Sequence, residues 1–175
     1  MIAYQSNQEG EGMTAEEWRA LVEYRDGFLY WRVRPSRSVF AGDQAGGNGG
    51  DGYWSVKYRG QKYMYHRVIW MVCNGDLPAG SCIDHIDRDP FNNRIENLRL
   101  ATMSQNHFNT LKRLSSFSST FKGVHRDTRP GRKPWNVYLM ANGKRYYLGS
   151  FDHEEEAAGA YAEAALALHG EFAAF

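Results

Sequence analysis

The middle of the sequence carries four polar residues whose types and spacing suit metal-assisted hydrolysis. Asp84 and His85 are adjacent, Asn97 follows His85 by twelve residues, and Asn106 follows Asn97 by nine. The pKa of an imidazole lies near neutral pH, so His85 could take a proton from water. Carboxylate and amide oxygens are hard ligands, so Asp84 and Asn106 could hold a cation such as Mg²⁺. A base beside such a cation meets the needs of phosphodiester hydrolysis, because the cation offsets charge on the phosphate and on the leaving oxygen.

Short strands and a helix must bring these residues together. Residues 82–86 predict a short strand, residues 87–93 a polar loop, and residues 97–102 a second strand. Ser104 is expected to begin a helix that runs to about Arg113. A helix packed across this strand pair could collect Asp84, His85 and Asn106 at one place.

Residues 66–110, with Asp84-His85, Glu96-Asn97-Leu98 and Ser104-Gln105-Asn106, resemble the HNH endonucleases of phages and introns, the homing type with a ββα-metal fold. The resemblance extends over most of residues 14–113. It implies that Asp84 is the first metal ligand and His85 the general base. It also implies that Asn97 lies in the second strand and orients the base, and that Asn106 is the second ligand of Mg²⁺ or Mn²⁺. His107 is the alternative to Asn106.

The same residues also admit plainer interpretations. An Asp-His dipeptide arises by chance, and Asn92, Asn93 and Asn97 alone would be typical of turns. His66 fits a histidine at a helix start or in a core. Arg67 and Arg99 could clamp phosphate or be surface charges. The complete set at this spacing favours the nuclease over a DNA-binding regulator that keeps the nuclease fold without cutting, which is the alternative.

The region before the motif is expected to be rich in strands. Residues 1–13 predict a flexible tail, and Thr14 with Glu17 forms a capping-box pattern that begins a helix running to about residue 23. A strand is predicted over residues 28–33 and a helix over 66–74. Residues 53–58 and 61–65 flank Arg59-Gly60, a hairpin signal. The glycine-rich residues 41–52 are interpreted as a turn, since they lack the pattern of a phosphate-binding loop.

The small net charge of +1 conceals an uneven distribution. Residues 111–149 carry nine basic side chains and one acidic one, a net formal charge of +8, whereas residues 150–175 carry six acidic side chains and no Lys or Arg. A basic segment of this kind is typical of nucleic-acid binding. It follows a Ser-rich stretch, residues 114–120, which predicts a linker.

Residues 121–175 predict a separate small domain, a three-stranded antiparallel sheet packed on one helix. The strands are expected at residues 122–126, 135–141 and 145–151, with an Asn142-Gly143 turn and a helix over 153–168. Together with the nuclease domain at 14–113, made of a β-rich part (14–65) and the catalytic motif (66–113), the chain is predicted to be α+β. The domain boundary is placed near residue 115.

The C-terminal segment resembles the DNA-binding domain of plant ethylene-response factors. The matching pieces are Gly123-Val124, the run from Tyr147 to Phe151, the Glu-Ala-Ala-rich helix with Ala160-Tyr161, and His169-Gly170. The plant pattern has arginine and tryptophan where His125 and Tyr147 stand, so base specificity does not carry over. The resemblance implies DNA-facing strand residues and, in the first turn, phosphate contacts. The former are His125, Arg126, Arg145 and Tyr147, and the latter are Arg129, Arg132 and Lys133.

The rest of the sequence narrows the setting. Two cysteines, Cys73 and Cys82, are too few for a disulfide framework and lack zinc-finger spacing. No signal peptide and no apolar run long enough for a membrane span are found. The expected partner is double-stranded DNA, with no small-molecule cofactor besides the metal. A monomer with one active site is expected to nick one strand, in the cytoplasm of a bacterial host.

Overall fold

The computed structural model describes residues 12–50, 52–111 and 119–175, which form two compact units divided between Leu100 and Ala101. The chain is α+β, as predicted. Most of the predicted tail (1–13) and linker (114–120) lies outside the described residues. Ser119, at the end of the predicted linker, is buried, and its hydroxyl donates a hydrogen bond of 2.6 Å to Glu154 Oε1. Ser119 is therefore fixed to the second unit.

The first unit begins with helix α1 (Ala15–Leu21), followed by strands β1 (Val22–Arg25) and β2 (Phe28–Trp31). The predicted capping box is confirmed, because Thr14 Oγ1 accepts from Glu17 N while Glu17 accepts from Thr14 N. Such a cap contributes about 1 kcal/mol. The helix ends two residues earlier than predicted, since Val22 begins the antiparallel β1–β2 hairpin.

A three-stranded sheet follows, in the order β3-β4-β5, with β3 at Gly47–Asn48, β4 at Trp54–Tyr58 and β5 at Gln61–Met64. The predicted hairpin turn is confirmed, and Arg59 and Gly60 both have positive φ, of 48° and 79°. Strand β3 lies inside the stretch interpreted as a turn. A Cβ atom at Gly46 would lie 2.3 Å from the carbonyl oxygen of Ser55, so only glycine allows this approach.

Helix α2 (Tyr65–Asn74) packs on these strands and ends at Gly75, as predicted to within one residue. The hydroxyl of Tyr65 accepts a hydrogen bond of 2.6 Å from Leu29 N, and burial raises the pKa of Tyr65 to about 12. Beyond α2 lie β6 (Cys82–His85), a 3₁₀ turn (Ile95–Asn97) and β7 (Leu98–Ala101), which pairs with β6. Ile83 and Leu98 belong to the core of the unit, so this core fixes both strands.

The second unit contains helix α3 (Met103–Phe108), strands β8 (Val124–Arg126), β9 (Trp135–Ala141) and β10 (Lys144–Phe151), and helix α4 (Glu154–His169). The sheet order is β10-β9-β8, and both pairs are antiparallel. These strands and α4 lie where the sequence predicts them. Thr102, rather than Ser104, caps α3, because Thr102 and Gln105 form a second capping box.

Helix α4 covers one face of the sheet with its smallest side chains. Ala157, Tyr161 and Ala165 are buried against Val137 and Leu139 of β9. The buried stripe continues to His169, whereas the neighbouring Leu168 is 50% exposed. The stripe follows a four-residue repeat, so one side of the helix stays in contact with the sheet.

Helix α3 belongs to the second compact unit, which begins at Ala101, whereas the sequence predicts a domain boundary near residue 115. The ring of Phe108 stacks on that of His169, with centroids 3.7 Å apart and the planes at 1°. Lys122 Nζ donates to the carbonyl oxygens of Phe108 and Thr110, each at 2.6 Å. A cation at the carboxyl end of a helix also stabilises the helix dipole. These tertiary contacts are invisible in the local sequence pattern.

Candidate active site and nucleic-acid interface

Strand β6 carries Asp84 and His85, and all four of its residues are buried. Asp84 is 4% exposed and His85 is 7% exposed. Successive residues of a strand point to opposite faces, so the two side chains meet different neighbours. Cys82 and Ile83 supply the apolar part of the strand and tie it to the rest of the unit.

The imidazole of His85 is held by Asn93, a residue that sequence reasoning assigned to a turn. His85 Nε2 lies 3.3 Å from Asn93 Oδ1. Asn93 Nδ2 donates to the carbonyl oxygen of Phe91 at 3.1 Å, which fixes the orientation of the amide. Because Asn93 Oδ1 can only accept, Nε2 of His85 must carry the proton. Nδ1 then has the lone pair that a general base needs.

Asn97 lies at the end of the 3₁₀ turn, not in the second strand as expected. Its Oδ1 accepts from Asp87 N at 3.0 Å, and its Nδ2 donates to Asp87 Oδ1 at 2.9 Å and to the carbonyl oxygen of Asn92 at 2.8 Å. The amide therefore ties together the loop that carries Asn93. The direct contact with the imidazole belongs to Asn93, eight residues after His85.

Arg99 of β7 pairs with Asp84 of β6. The carboxylate oxygen Oδ2 of Asp84 lies 2.9 Å from Arg99 Nε and 2.8 Å from a terminal guanidinium nitrogen. The side chain of Arg99 is only 12% exposed. The sequence left Arg99 open between a phosphate clamp and a surface charge, and the structure shows it in a buried ion pair.

Burial lowers the pKa of His85 below its ordinary value of 6.5, while the hydrogen bond to Asn93 Oδ1 and the carboxylates of Asp87, Asp84 and Asp89 act in the opposite direction. The net direction is downward, so the imidazole is neutral at pH 7. A neutral imidazole of fixed tautomer can accept a proton.

His66, in the first turn of α2, lies against His85. The two ring centroids are 5.1 Å apart and the planes meet at 78°, an edge-to-face arrangement. The ring of Tyr53 lies 6.0 Å from that of His66. Burial, then the charges of His85 and Arg67, lowers the pKa of His66 to about 3. His66 is a core histidine, as the sequence favoured, and it also touches the candidate base.

The donor set fits a hard divalent cation by its chemistry. Within residues 12–50, 52–111 and 119–175, no three side chains of His, Cys, Asp or Glu gather to hold a metal ion. The predicted ligands are instead one carboxylate and one amide, of Asp84 and Asn106, and oxygen is the donor that Mg²⁺ prefers. Asn106 is half-buried on α3, within the second unit.

The face of the second unit's sheet opposite α4 carries an aromatic and basic cluster around Tyr138. The guanidinium of Arg145 lies 3.8 Å from the centroid of the Tyr138 ring. The rings of His125 and Tyr147 lie 5.8 Å and 5.3 Å from it. The strand register brings these side chains together, since Tyr147 pairs with Tyr138 and Arg145 with Met140.

The other four predicted DNA-binding residues have different surroundings. Arg126 pairs with Trp135 across the strands and lies over its ring, on the side of the sheet opposite to His125. Arg129 Nε donates to Asp127 at 2.8 Å, and Lys133 Nζ lies 2.7 Å from Asp152. The guanidinium of Arg129 holds the pKa of the Asp127 carboxyl below its usual range. Arg132 is exposed and lines a concavity of about 510 Å³ with Arg129, Lys133 and Tyr138.

Parts of this chain are similar in sequence to known proteins. The sequence profile of the HNH endonucleases matches residues 63–108. The chain is 37% identical to Protein 3.8 of Escherichia phage T7 over 110 residues, 63% of this chain and 88% of that protein. It is 38% identical over 127 residues to the uncharacterized HNH endonuclease L560 of Acanthamoeba polyphaga mimivirus, 72% of this chain and 63% of L560.

A third relative matches a shorter part of this chain. YosQ, from the SPbeta prophage of Bacillus subtilis (strain 168), has a name that assigns it to the HNH homing endonucleases, and it is 33% identical over 61 residues, 35% of each chain. No solved structure matches this chain. Among the helices of the described ranges, none is long and apolar enough to cross a membrane.

Proposed function

We propose, from the match of residues 63–108 to the HNH endonuclease profile and from the similarity to the mimivirus protein L560, that the chain is a metal-dependent DNA endonuclease with His85 as general base. The observation that carries the proposal is the setting of His85, which is buried with its Nε2 3.3 Å from Asn93 Oδ1 and whose pKa is lowered by burial. It stands in strand β6 directly after Asp84.

In the proposed reaction, His85 Nδ1 accepts a proton from a water molecule. The water oxygen forms a bond to phosphorus while the bond from phosphorus to one ester oxygen breaks, and that oxygen leaves as a hydroxyl after taking up a proton from solvent. General-base assistance of this kind contributes roughly 10²- to 10⁴-fold in rate. Asn93 keeps the base in one tautomer, and Asn97 holds the loop on which Asn93 lies.

A divalent cation, Mg²⁺ or Mn²⁺, would be held by Asp84 and, following the family pattern, by Asn106. When bound, it would offset the charge on the phosphate and on the leaving oxygen. Arg99 already supplies a positive charge to Asp84 in the buried pair. It would share the carboxylate with the cation or turn toward the phosphate.

The second unit is proposed to bind double-stranded DNA with the face opposite α4. Support comes from the cluster of Arg145, Tyr138, Tyr147 and His125, and from the likeness to the plant DNA-binding domain. A basic sheet face of this width can enter the major groove. Arg129, Arg132 and Lys133 would contact phosphates near the β8–β9 turn, and Arg126 would contact the backbone at the sheet edge.

The enzyme is further proposed to be site-specific and of the homing type, as the name of YosQ suggests for that relative. A monomer has one HNH unit and would nick one strand. Phage and prophage relatives favour action in the cytoplasm of a bacterial host. A second candidate, a DNA-binding regulator without cutting activity, is favoured by one observation, the ion pair of Arg99 with the predicted metal ligand Asp84.

A plasmid assay separates the two candidates. Supercoiled plasmid is incubated with the wild-type chain or with His85→Ala, with and without Mg²⁺. If the chain is a nuclease, only the wild type should convert supercoiled plasmid to open circles, and only with Mg²⁺. Both proteins should bind DNA equally in a gel-shift assay. The matched control is His153→Ala, because His153 is exposed before α4 and makes no capping hydrogen bond with its side chain. Equal nicking by wild type and His85→Ala would remove His85 from the mechanism.

A further inference from the structure

Two contacts of the His85 imidazole bear on the orientation of its ring. Asn93 meets Nε2 at 3.3 Å, and the ring of His66 meets the imidazole edge to face with centroids 5.1 Å apart. A hydrogen bond to one ring nitrogen fixes the direction of that nitrogen but leaves the ring free to turn about it. A second ring packed at 78° removes this freedom, because turning the imidazole would bring the two rings into collision.

His66 is itself rigidly placed. It lies in the first turn of α2 next to Tyr65, whose hydroxyl accepts a hydrogen bond from Leu29 N in the core. Its side chain is 4% exposed, and the ring of Tyr53 lies against it. Edge-to-face aromatic pairs are worth roughly 0.5–1.5 kcal/mol beyond their buried area. The helix thus presents a fixed ring to the candidate base.

The contact adds no positive charge to the site. Burial lowers the pKa of His66 to about 3, so its ring is neutral at pH 7. His66 therefore does not compete for the proton of the attacking water, and its effect on His85 is one of contact.

We propose that His66 is a positioning residue for the general base, whose ring sets the plane of the His85 imidazole so that Nε2 meets Asn93 and Nδ1 faces the attacking water. This inference rests on the proposed function of His85. It gives α2, which comes before the Asp-His pair in the chain, a part in the active site. It also explains why the rings of residues far apart in sequence are packed together in the interior of the first unit.

The test compares His66→Ala, which removes the ring, with His66→Phe, which keeps a ring of similar shape. In plasmid nicking with saturating Mg²⁺, His66→Ala should lower kcat roughly 10- to 100-fold, as small misplacements of a catalytic group do. The KM for plasmid should stay unchanged. His66→Phe should remain within a few-fold of wild type. A change in KM alone would overturn the proposal.

A second readout does not depend on cutting. In the full-length chain labelled with ¹⁵N-histidine, wild type and His66→Phe should show separate shifts for a protonated Nε2 and an unprotonated Nδ1 of His85. His66→Ala should show averaged shifts from exchanging tautomers. If the wild type cuts no DNA, the proposed function fails, yet this spectrum still decides whether His66 sets the ring.

Two further results would overturn the inference. One is a folded His66→Ala protein with wild-type kcat and the wild-type tautomer of His85. The other is a folded His66→Phe protein as inactive as His66→Ala, because the nitrogens of His66 would then act on the substrate directly. Thermal unfolding of each variant establishes that it is folded.

Discussion

The two regions proposed to act on DNA are built in opposite ways. The site on β6 is buried, and each of its polar groups is placed by one or two named neighbours, such as Asn93 for His85 and Arg99 for Asp84. The face of the β8–β10 sheet is exposed, and its charges lie over aromatic rings or beside acidic partners. Chemistry requires a fixed geometry, whereas binding a phosphate backbone requires many weak charges that can adapt.

This difference predicts how each region responds to substitution. In a buried site the loss of one partner leaves an uncompensated polar group, so single changes should have large effects that salt does not alter. On an exposed face, water and salt screen each charge, so single changes should be small and depend on salt. Four predictions test the contrast.

Arg99→Gln should produce the largest effect, because it leaves the buried carboxylate of Asp84 without its cation. The free energy of unfolding should fall by about 3 kcal/mol, the loss typical of a broken buried pair. If Asp84 binds a divalent cation, Mg²⁺ should restore much of this loss and raise the Tm of Arg99→Gln more than that of wild type. Thermal unfolding with and without Mg²⁺ measures both. Arg67→Gln, an exposed arginine of α2, is the control, and an equal loss in both variants would contradict the buried-pair account.

The lowered pKa of His66 predicts that the folded chain loses stability as the pH falls. Its pKa is about 3 in the folded chain and near 6.5 when unfolded, so only the unfolded chain takes up the proton between these values. Stability is therefore complete above pH 6.5 and falls as the pH drops, by about 2 kcal/mol at pH 5. Denaturant unfolding of His66→Phe should show a correspondingly weaker acid destabilisation. Exposed His153→Ala should retain the wild-type pH dependence, and a flatter curve in that variant would assign the effect to the wrong histidine.

Substitutions of Asn93 and of Asn97 should produce two different kinds of defect. Asn93→Ala removes the acceptor for His85 Nε2, so kcat should fall roughly tenfold or more, with a smaller loss of Tm than in Asn97→Ala. Asn97→Ala removes three hydrogen bonds that hold the loop, so the Tm should fall along with activity. Single-turnover cutting measures the activity of each variant, and calorimetry measures its Tm. Full activity in Asn93→Ala together with the loss of activity in a stable Asn97→Ala would restore the assignment made from the family pattern.

Local signals in the sequence predicted local structure well. The Thr14–Glu17 capping box, the Arg59-Gly60 turn and the strands on either side of Asn142-Gly143 were all found where predicted. Each depends on residues within a few positions of one another. The same locality explains why α4 was predicted almost to its ends.

Tertiary contacts account for what the sequence did not reveal. The polar partners of Asp84 and His85 are Arg99 and Asn93, fifteen and eight residues away, and either could have been a surface residue by type. The place of α3 in the second unit depends on the stack of Phe108 with His169. The roles of Asp84, His85 and Asn106 in catalysis stay predictions, since they follow from the family pattern.

The smallest effects are expected on the sheet face, where Arg145 and Arg129 form a matched pair of exposed arginines. Arg145 lies over Tyr138 on the proposed DNA face, so Arg145→Ala should weaken binding and make the slope of log affinity against log salt shallower by about one unit. Arg129 must leave Asp127, 2.8 Å away, before it contacts a phosphate, so Arg129→Ala should change that slope by less than Arg145→Ala does. Binding to a labelled duplex between about 50 and 200 mM salt gives both slopes. Equal changes in the two variants would mean that Asp127 releases Arg129 when DNA binds, which would make this face adaptable in a way that the buried site on β6 is not.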